Sequence, residues 1–336
     1  MLSATAAVSV AAVEQFRGVP VFSAMELTLS ESYDVLGRTA GDGPDASRAC
    51  ALEGIWDLAA DDPRTCLPLW QHAKVRSALL VAAADAAVSV RARALGVMWT
   101  MALAPSTRAP LWQSARAVLI DACLLQCDET YDEDAIAVRE RALGAISTLA
   151  NHEPLRSALA NDADVRAALS AAARRPPPRR RRDGADGDGS SAQRARAVAL
   201  AAIFALAAAD TDASKTQIWD DVEVREALIS AAADTQPRRT PPEARACACG
   251  ALWYLAISEE VRRKLRAPHT STHEARARAA LEAAAAQGDS PDVRDHARRA
   301  LEVIDREEEL MSASQRLIAS DGISHDWASQ YTNTGD

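Results

Sequence analysis

RARALGVMWTMA, residues 91–102, decides the fold because it returns. RACALEGIWDLA (48–59), RERALGAISTLA (139–150), RAVALAAIFALA (196–207) and RACACGALWYLA (245–256) share its frame, each opening on Arg and closing on Ala. Successive openings lie 43, 48, 57 and 49 residues apart. A period of roughly 40 to 50 residues belongs to stacked helical units, none of which buries its apolar face alone. Within a copy the apolar spacing is helical. Leu95, Met98, Trp99 and Ala102 follow steps of three and four, as do Leu143, Ile146, Leu149 and Ala150, where a strand would alternate. Gly96, Gly144 and Gly250 fall at one equivalent position. Glycine costs about 1 kcal/mol there against Ala, so its return predicts close contact between helices.

A second recurrent segment follows each copy after a polar turn. LPLWQHAKVRSALLVAAA (67–84), APLWQSARAVLIDAC (109–123), NDADVRAALSAAA (161–173) and QIWDDVEVREALISAAA (217–233) read as the second helix of a pair, with Leu79, Leu119, Leu169 and Leu228 on its inner face. Trp70, Trp112 and Trp219 stand at one place in front of it. Trp56, Trp99 and Trp253 share a site on the first helix, where Ser147 and Phe204 substitute. Six of the seven tryptophans obey the repeat, and Trp327 does not. Two readings are open for them. Distributed once per unit, they wedge between helix pairs as core. Alternatively they stand partly exposed as anchors along a binding groove. The recurrent Arg48, Arg91, Arg139, Arg196 and Arg245 either form an exposed charged ladder or lay their stems on apolar surface with their heads on Asp or Glu of the adjoining unit. The second reading is preferred.

Composition agrees with tight helix packing. Of 336 residues 75 are Ala, against seven Trp, four Tyr and three Phe. Ala is the best helix former and lets backbones approach. No window supplies the roughly 20 uncharged apolar residues that span a bilayer, and the N-terminus lacks the basic region of a secretory signal. The net charge of −9 argues against a general nucleic-acid binder. Six cysteines with no CxxC spacing predict a reducing compartment, cytoplasmic or nuclear, with the thiols serving as small buried hydrophobes.

The repeat resembles the armadillo and HEAT-like families. Gly144 to Ala150 and Gly250 to Ala256 match the apolar frame of the armadillo signature G-A-L-x-N-L-A, and Gly96 to Ala102 matches with conservative changes. Val90-Arg91 with Ala94-Leu95-Gly96, and Val138-Arg139 with Ala142-Leu143-Gly144, look like a fragment common in HEAT-like units. Val293-Arg294 with Ala297, Ala300 and Leu301 resembles it at longer spacing. The resemblance implies an all-α fold, a right-handed α-solenoid of about five imperfect repeats plus a C-terminal helical cap. It also implies a protein or extended peptide as partner along a concave face. Armadillo peptide binders usually carry Asn where this chain has Asp57, Thr100, Thr148, Ala205 and Tyr254. The asparagine clamp on a peptide backbone is therefore not expected.

Residues 1–45 are expected to hold one helix around Met25–Leu36 and a connection, residues 46–305 the solenoid, and 306–336 a helix end and tail. The stretch 174–191, RRPPPRRRRDGADGDGSS, reads as an insertion, since its prolines cannot propagate a helix. Its Arg179–Arg182 run is the alternative partner surface, for nucleic acid or an anionic membrane. Asp183–Gly189 lacks the full calcium loop with its closing Glu. His269 and His273 are four apart, but Pro268 and the surrounding Thr and Ser favour a loop over a metal-binding helix. No G-x-S-x-G, Walker or dinucleotide glycine motif occurs. No catalytic residue, metal ligand or cofactor is assigned, and the chain is expected to be a non-catalytic scaffold. An enzyme built on the solenoid would need a compact pocket of converging titratable groups.

Overall fold

The computed structural model describes residues 29–42, 44–125, 133–174, 190–236, 240–266 and 272–305. Among these are sixteen helices and no strand. A first layer holds α1 (Leu29–Asp42) and α2 (Asp45–Asp61). Next come α3 (Pro63–Gln71), α4 (Ala73–Ala83) and α5 (Val88–Leu103), then α6 (Pro105–Leu124) and α7 (Glu133–Ala150). The following layers are α8 (Glu153–Asn161), α9 (Ala163–Arg174) and α10 (Ser190–Ala207), then α11 (Asp212–Asp220), α12 (Val222–Ala233) and α13 (Pro242–Ala256). The last holds α14 (Glu259–Arg266), α15 (Thr272–Gln287) and α16 (Pro291–Asp305).

Like packs on like from layer to layer. The long helices α2, α5, α7, α10, α13 and α16 form one row, each against the next. A second row runs through α1, α4, α6, α9, α12 and α15, and α8, α11 and α14 make a third. This is a solenoid. Most units hold three helices where pairs were expected, because the second recurrent segment breaks at His72, Asp162 and Asp221. Asp162 Oδ1 accepts from the N–H groups of Asp164 and Val165, and Asp221 Oδ1 from those of Glu223 and Val224. Each carboxylate satisfies amides that a new helix start would leave orphaned. Ser114 holds that place in α6, and the helix runs on unbroken. The N-terminal helix lies further along than expected, running to Asp42, while Met25–Thr28 lie outside the described residues. So do Arg179–Arg182, His269 and Trp327.

Leu79, Leu119, Leu169 and Leu228 are completely buried, and Trp70, Trp112 and Trp219 are buried in front of them, as the spacing required. Trp56, Trp99 and Trp253 are half-buried. Their placement explains the recurrent glycine. A Cβ added at Gly96 would lie 2.6 Å from the Trp56 ring, and one at Gly144 2.6 Å from that of Trp99. Each indole thus lies on the bare backbone of the next long helix. Phe204 lies on Gly250 in the same way, at 2.8 Å. After Ser147, which is small, the next helix carries Ala201 instead.

The recurrent arginines follow the preferred reading. Arg48 meets Asp85 at 2.5 Å, Arg91 meets Asp121 at 2.8 Å, Arg196 meets Asp234 at 3.7 Å and Arg245 meets Asp289 at 3.4 Å. In each case a long helix is tied to the far end of the second-row helix that follows. Arg139 is buried at the same place. Other arginines reach back six residues to the carbonyl ending the preceding helix. Arg108 donates to Ala102, Arg166 to Ala160, Arg225 to Trp219 and Arg294 to Gly288 at 2.6–3.0 Å. These oxygens otherwise lack a partner within their helix. The end of the row is finished with charge. Helix α16 buries Val293, Ala297, Ala300 and Ile304 against its neighbours but exposes Arg298, Glu302 and Asp305 on its outer side, as a terminal repeat must.

Candidate functional site

The open side of the long-helix row carries its half-exposed aromatic groups. Arg141 on α7 places its Cζ 4.8 Å from the centroid of Trp56 on α2, passing over the intervening α5. The two side chains meet above α5 because Trp56 itself lies across that helix on Gly96. At the other end, Arg299 on α16 lies 5.1 Å above Trp253, which also stacks on His296 at 6.1 Å. Burial and then the neighbouring Arg93 press the Arg141 pKa downward, but a guanidinium stays charged at neutral pH. A guanidinium lying on an indole gains from the ring quadrupole and keeps its N–H edge for an acceptor.

Between these ends the face is mixed. Arg93 pairs with Glu53 at 3.5 Å and Arg194 with Glu140 at 3.3 Å. The first layer exposes Glu53, Asp57 and Asp61, and burial followed by the other two carboxylates raises the Asp57 pKa. Two positions of the asparagine clamp serve the protein itself, while Asp57 is exposed and Thr100 half-buried. Thr148 donates to the Gly144 carbonyl at 2.8 Å and accepts from Trp99 Nε1 at 3.2 Å. Tyr254 is buried beside Phe204 and Trp253, with ring centroids 5.4 and 4.9 Å away. Ala205 has no side-chain polar atom. What this face offers is indole and guanidinium, with no row of amides.

The tryptophans were legible in the sequence as either core or anchors, and the structure divides them. The set at 70, 112 and 219 is core, while the set at 56, 99 and 253 rests one side on the next helix and shows the other. Sequence reasoning missed Arg141 and Arg299 as their partners. The available signal was weak: Arg93 and Arg141 each stand two residues after a recurrent Arg.

Elsewhere, His273 lies on α15, its Nδ1 2.5 Å from Glu226 Oε1, with Arg276 2.9 Å from the same carboxylate. Burial opposes ionisation of Glu226, but His273 and Arg276 hold its pKa low. Among the described residues no three His, Cys, Asp or Glu gather to hold a metal ion, and no helix is long and apolar enough to cross a membrane. Burial pushes the thiols of Cys123, Cys247 and Cys249 up to about 12, which leaves them unreactive at neutral pH.

The carboxylates that tie layers together predict a pH dependence. The hydrogen bond from Arg48, then that from the Ala87 N–H, lowers the Asp85 pKa. Burial would raise the Asp162 pKa, but Arg116 and two backbone amides override it. Folded pKa values below the unfolded ones contribute stability that is complete above roughly pH 4 and lost as pH falls through the folded values. Thermal melting should therefore fall most steeply below pH 4, after a smaller decline below about pH 6.5 from His152, whose pKa is lowered by burial and then by Arg108 and Arg156. Arg116→Gln should shrink that fall, because Arg116 binds Asp162 through two bonds of 2.6 and 2.7 Å.

Comparison with solved structures shows the same architecture. A designed armadillo repeat protein superposes with a TM-score of 0.61 at 18% identity, covering 83% of this chain and 100% of the design. A second design, solved in complex with the peptide (KR)4, gives 0.61 at 18% identity over 81% of this chain and 98% of its own. A computationally designed armadillo repeat protein for modular peptide recognition gives 0.58 at 19% identity, covering 82% and 99%. No protein-family model matches the chain, and no curated protein does. Three rows of stacked helices and these superpositions together make the chain an armadillo-like α-solenoid in its fold.

Proposed function

We propose that the protein is a non-catalytic interaction scaffold that receives an extended peptide or protein segment along the long-helix face. One observation carries this reading. The half-exposed indoles and their guanidinium partners are spread from α2 to α16 along one face, not gathered at one point. A line of separate anchors suits an elongated ligand. The design bound to (KR)4 supports a peptide on such a fold. Here no asparagine stands at these positions and two of them, Thr148 and Tyr254, are consumed internally, so recognition rests on side chains of the ligand more than on its backbone. A reducing compartment, cytoplasm or nucleus, completes the reading.

Selection of peptides from a random display library against the full chain tests it. Selected peptides should lose at least about tenfold in affinity, or about 1.4 kcal/mol, on Thr100→Arg or Arg141→Ala. They should be indifferent to Ala279→Arg on the exposed side of α15. Equal binding to all three variants, or no selected peptide, rejects the proposal.

A further inference from the structure

Among the described residues the long-helix face has two guanidinium–indole pairs, and neither cation forms an ion pair, although Asp134, Glu140 and Glu53 act on Arg141 from a distance. Arg141 lies on Trp56 and Arg299 on Trp253 with no carboxylate bonded to either head. By contrast Arg93, Arg194 and Arg298 on the same row each hold an acid. The occupant that fits is therefore acidic with interspersed apolar and aromatic side chains. The chain itself contains such a segment. It leaves α16, the last helix of this row, at Asp305 and continues as REEELMSASQRLIASDGISHDWASQYTNTGD. That stretch carries Glu307, Glu308, Glu309, Asp321, Asp326 and Asp336 against Arg306, Arg316 and one histidine, His325. Trp327, the one tryptophan outside the repeat, stands beside Asp326.

Length agrees. At about 3.3 Å per extended residue, residues 306–336 reach up to about 100 Å. Long helices spaced about 10 Å apart place α2 roughly 50 Å from α16. A segment starting at α16 is therefore long enough to run along the whole row, with its three glutamates closest in sequence to Arg299.

We propose that residues 306–336 are the resident occupant of this face, and that an outside ligand must displace them. The inference rests on the scaffold reading for its purpose, but its test needs no outside partner. A protease site placed after Asp305 in the full chain is cut once the protein has folded. The freed fragment should co-elute with the solenoid in low salt and leave it in high salt. While it is bound, amide exchange in α7, α10 and α13 should be slower than after its release. Arg299→Glu should weaken retention about tenfold, and replacing Glu307, Glu308 and Glu309 by Lys should restore it in that background. The triple replacement alone should also release the fragment, and it leaves every helix of the solenoid untouched. Immediate separation of the fragment in low salt with unchanged exchange overturns the proposal. So does retention that ignores both charge reversals, or protection lost on cutting after Thr28 and not after Asp305. Peptide selection on the cut protein remains a separate readout, so a docked tail and a failed scaffold reading are distinguishable.

Discussion

Gly144→Ala is expected to destabilise the protein by about 1–3 kcal/mol, although Ala is the better helix former. The added methyl would stand 2.6 Å from the Trp99 ring, and the indole cannot yield cheaply. Its Nε1 donates to Thr148 and its other edge is packed on the core. Overpacking of this kind costs about 1–3 kcal/mol, more than the gain of up to about 1 kcal/mol in helix propensity. The decisive measurement is the same substitution in a Trp99→Ala background. With the ring gone only the propensity remains, so Gly144→Ala should there stabilise by up to about 1 kcal/mol. Urea denaturation of the four proteins gives both values. A substitution that keeps its sign in the two backgrounds would mean that the indole does not require the glycine. The chain already contains the matching pair in reverse: Ser147 replaces the aromatic, and Ala201 replaces the glycine one layer on.

That pairing shows what a sequence discloses and what it hides. The long-helix row was readable because it depends on a local 3.6-residue period and on copies that could be laid over one another. The glycines were readable as close contacts, since their cost demanded compensation. Their partners were not, because Trp99 and Gly144 lie in different copies and only the stacking order joins them. The break of the second helix was hidden for another reason. Asp162 and Asp221 start new helices by capping amides, while Ser114 at the same place lets the helix continue. Nothing in the apolar period distinguishes these outcomes. The meeting of Arg141 with Trp56 was hidden most deeply, since the two stand two copies apart and meet only because Trp56 lies across the helix between them.

Absence of the asparagine row was legible, and the structure shows what took its place. Thr148 closes a bond to its own helix and receives the Trp99 indole N–H. Tyr254 packs beneath its aromatic neighbours. These two positions hold the solenoid's layers in register, whereas Asp57 is exposed and Thr100 half-buried. On the proposed peptide-binding reading, specificity falls to Arg141, Arg299 and the exposed sides of the indoles, which call for ligand side chains of matching charge and shape.

Arg245 is the place where the arginine ladder is most deeply sunk, and its replacement separates packing from charge. The side chain is 1% exposed; its Nε donates to the Ala232 carbonyl at 2.9 Å and its Nη1 meets Asp289 at 3.4 Å. Its Nη2 is buried and has no hydrogen-bond partner among the described residues. Arg245→Ala removes the stem that fills the space between α12 and α13 and leaves the α12 carbonyl unmet, so a loss of about 3–4 kcal/mol is expected. Arg245→Met keeps most of the volume and removes a desolvated charge together with its orphaned N–H. Its cost should be about 1–2 kcal/mol. Asp289→Ala does the opposite, since it retains the buried guanidinium and takes away its counter-charge. It should cost more than Arg245→Met even though Asp289 is the more accessible partner. Chemical denaturation midpoints of the three variants rank these effects. If Asp289→Ala proved harmless while Arg245→Met matched Arg245→Ala, the ladder would be holding the layers through its hydrogen bond to the helix end and not through the ion pair. The recurrent Asp at each rung would then have no energetic part in the stacking.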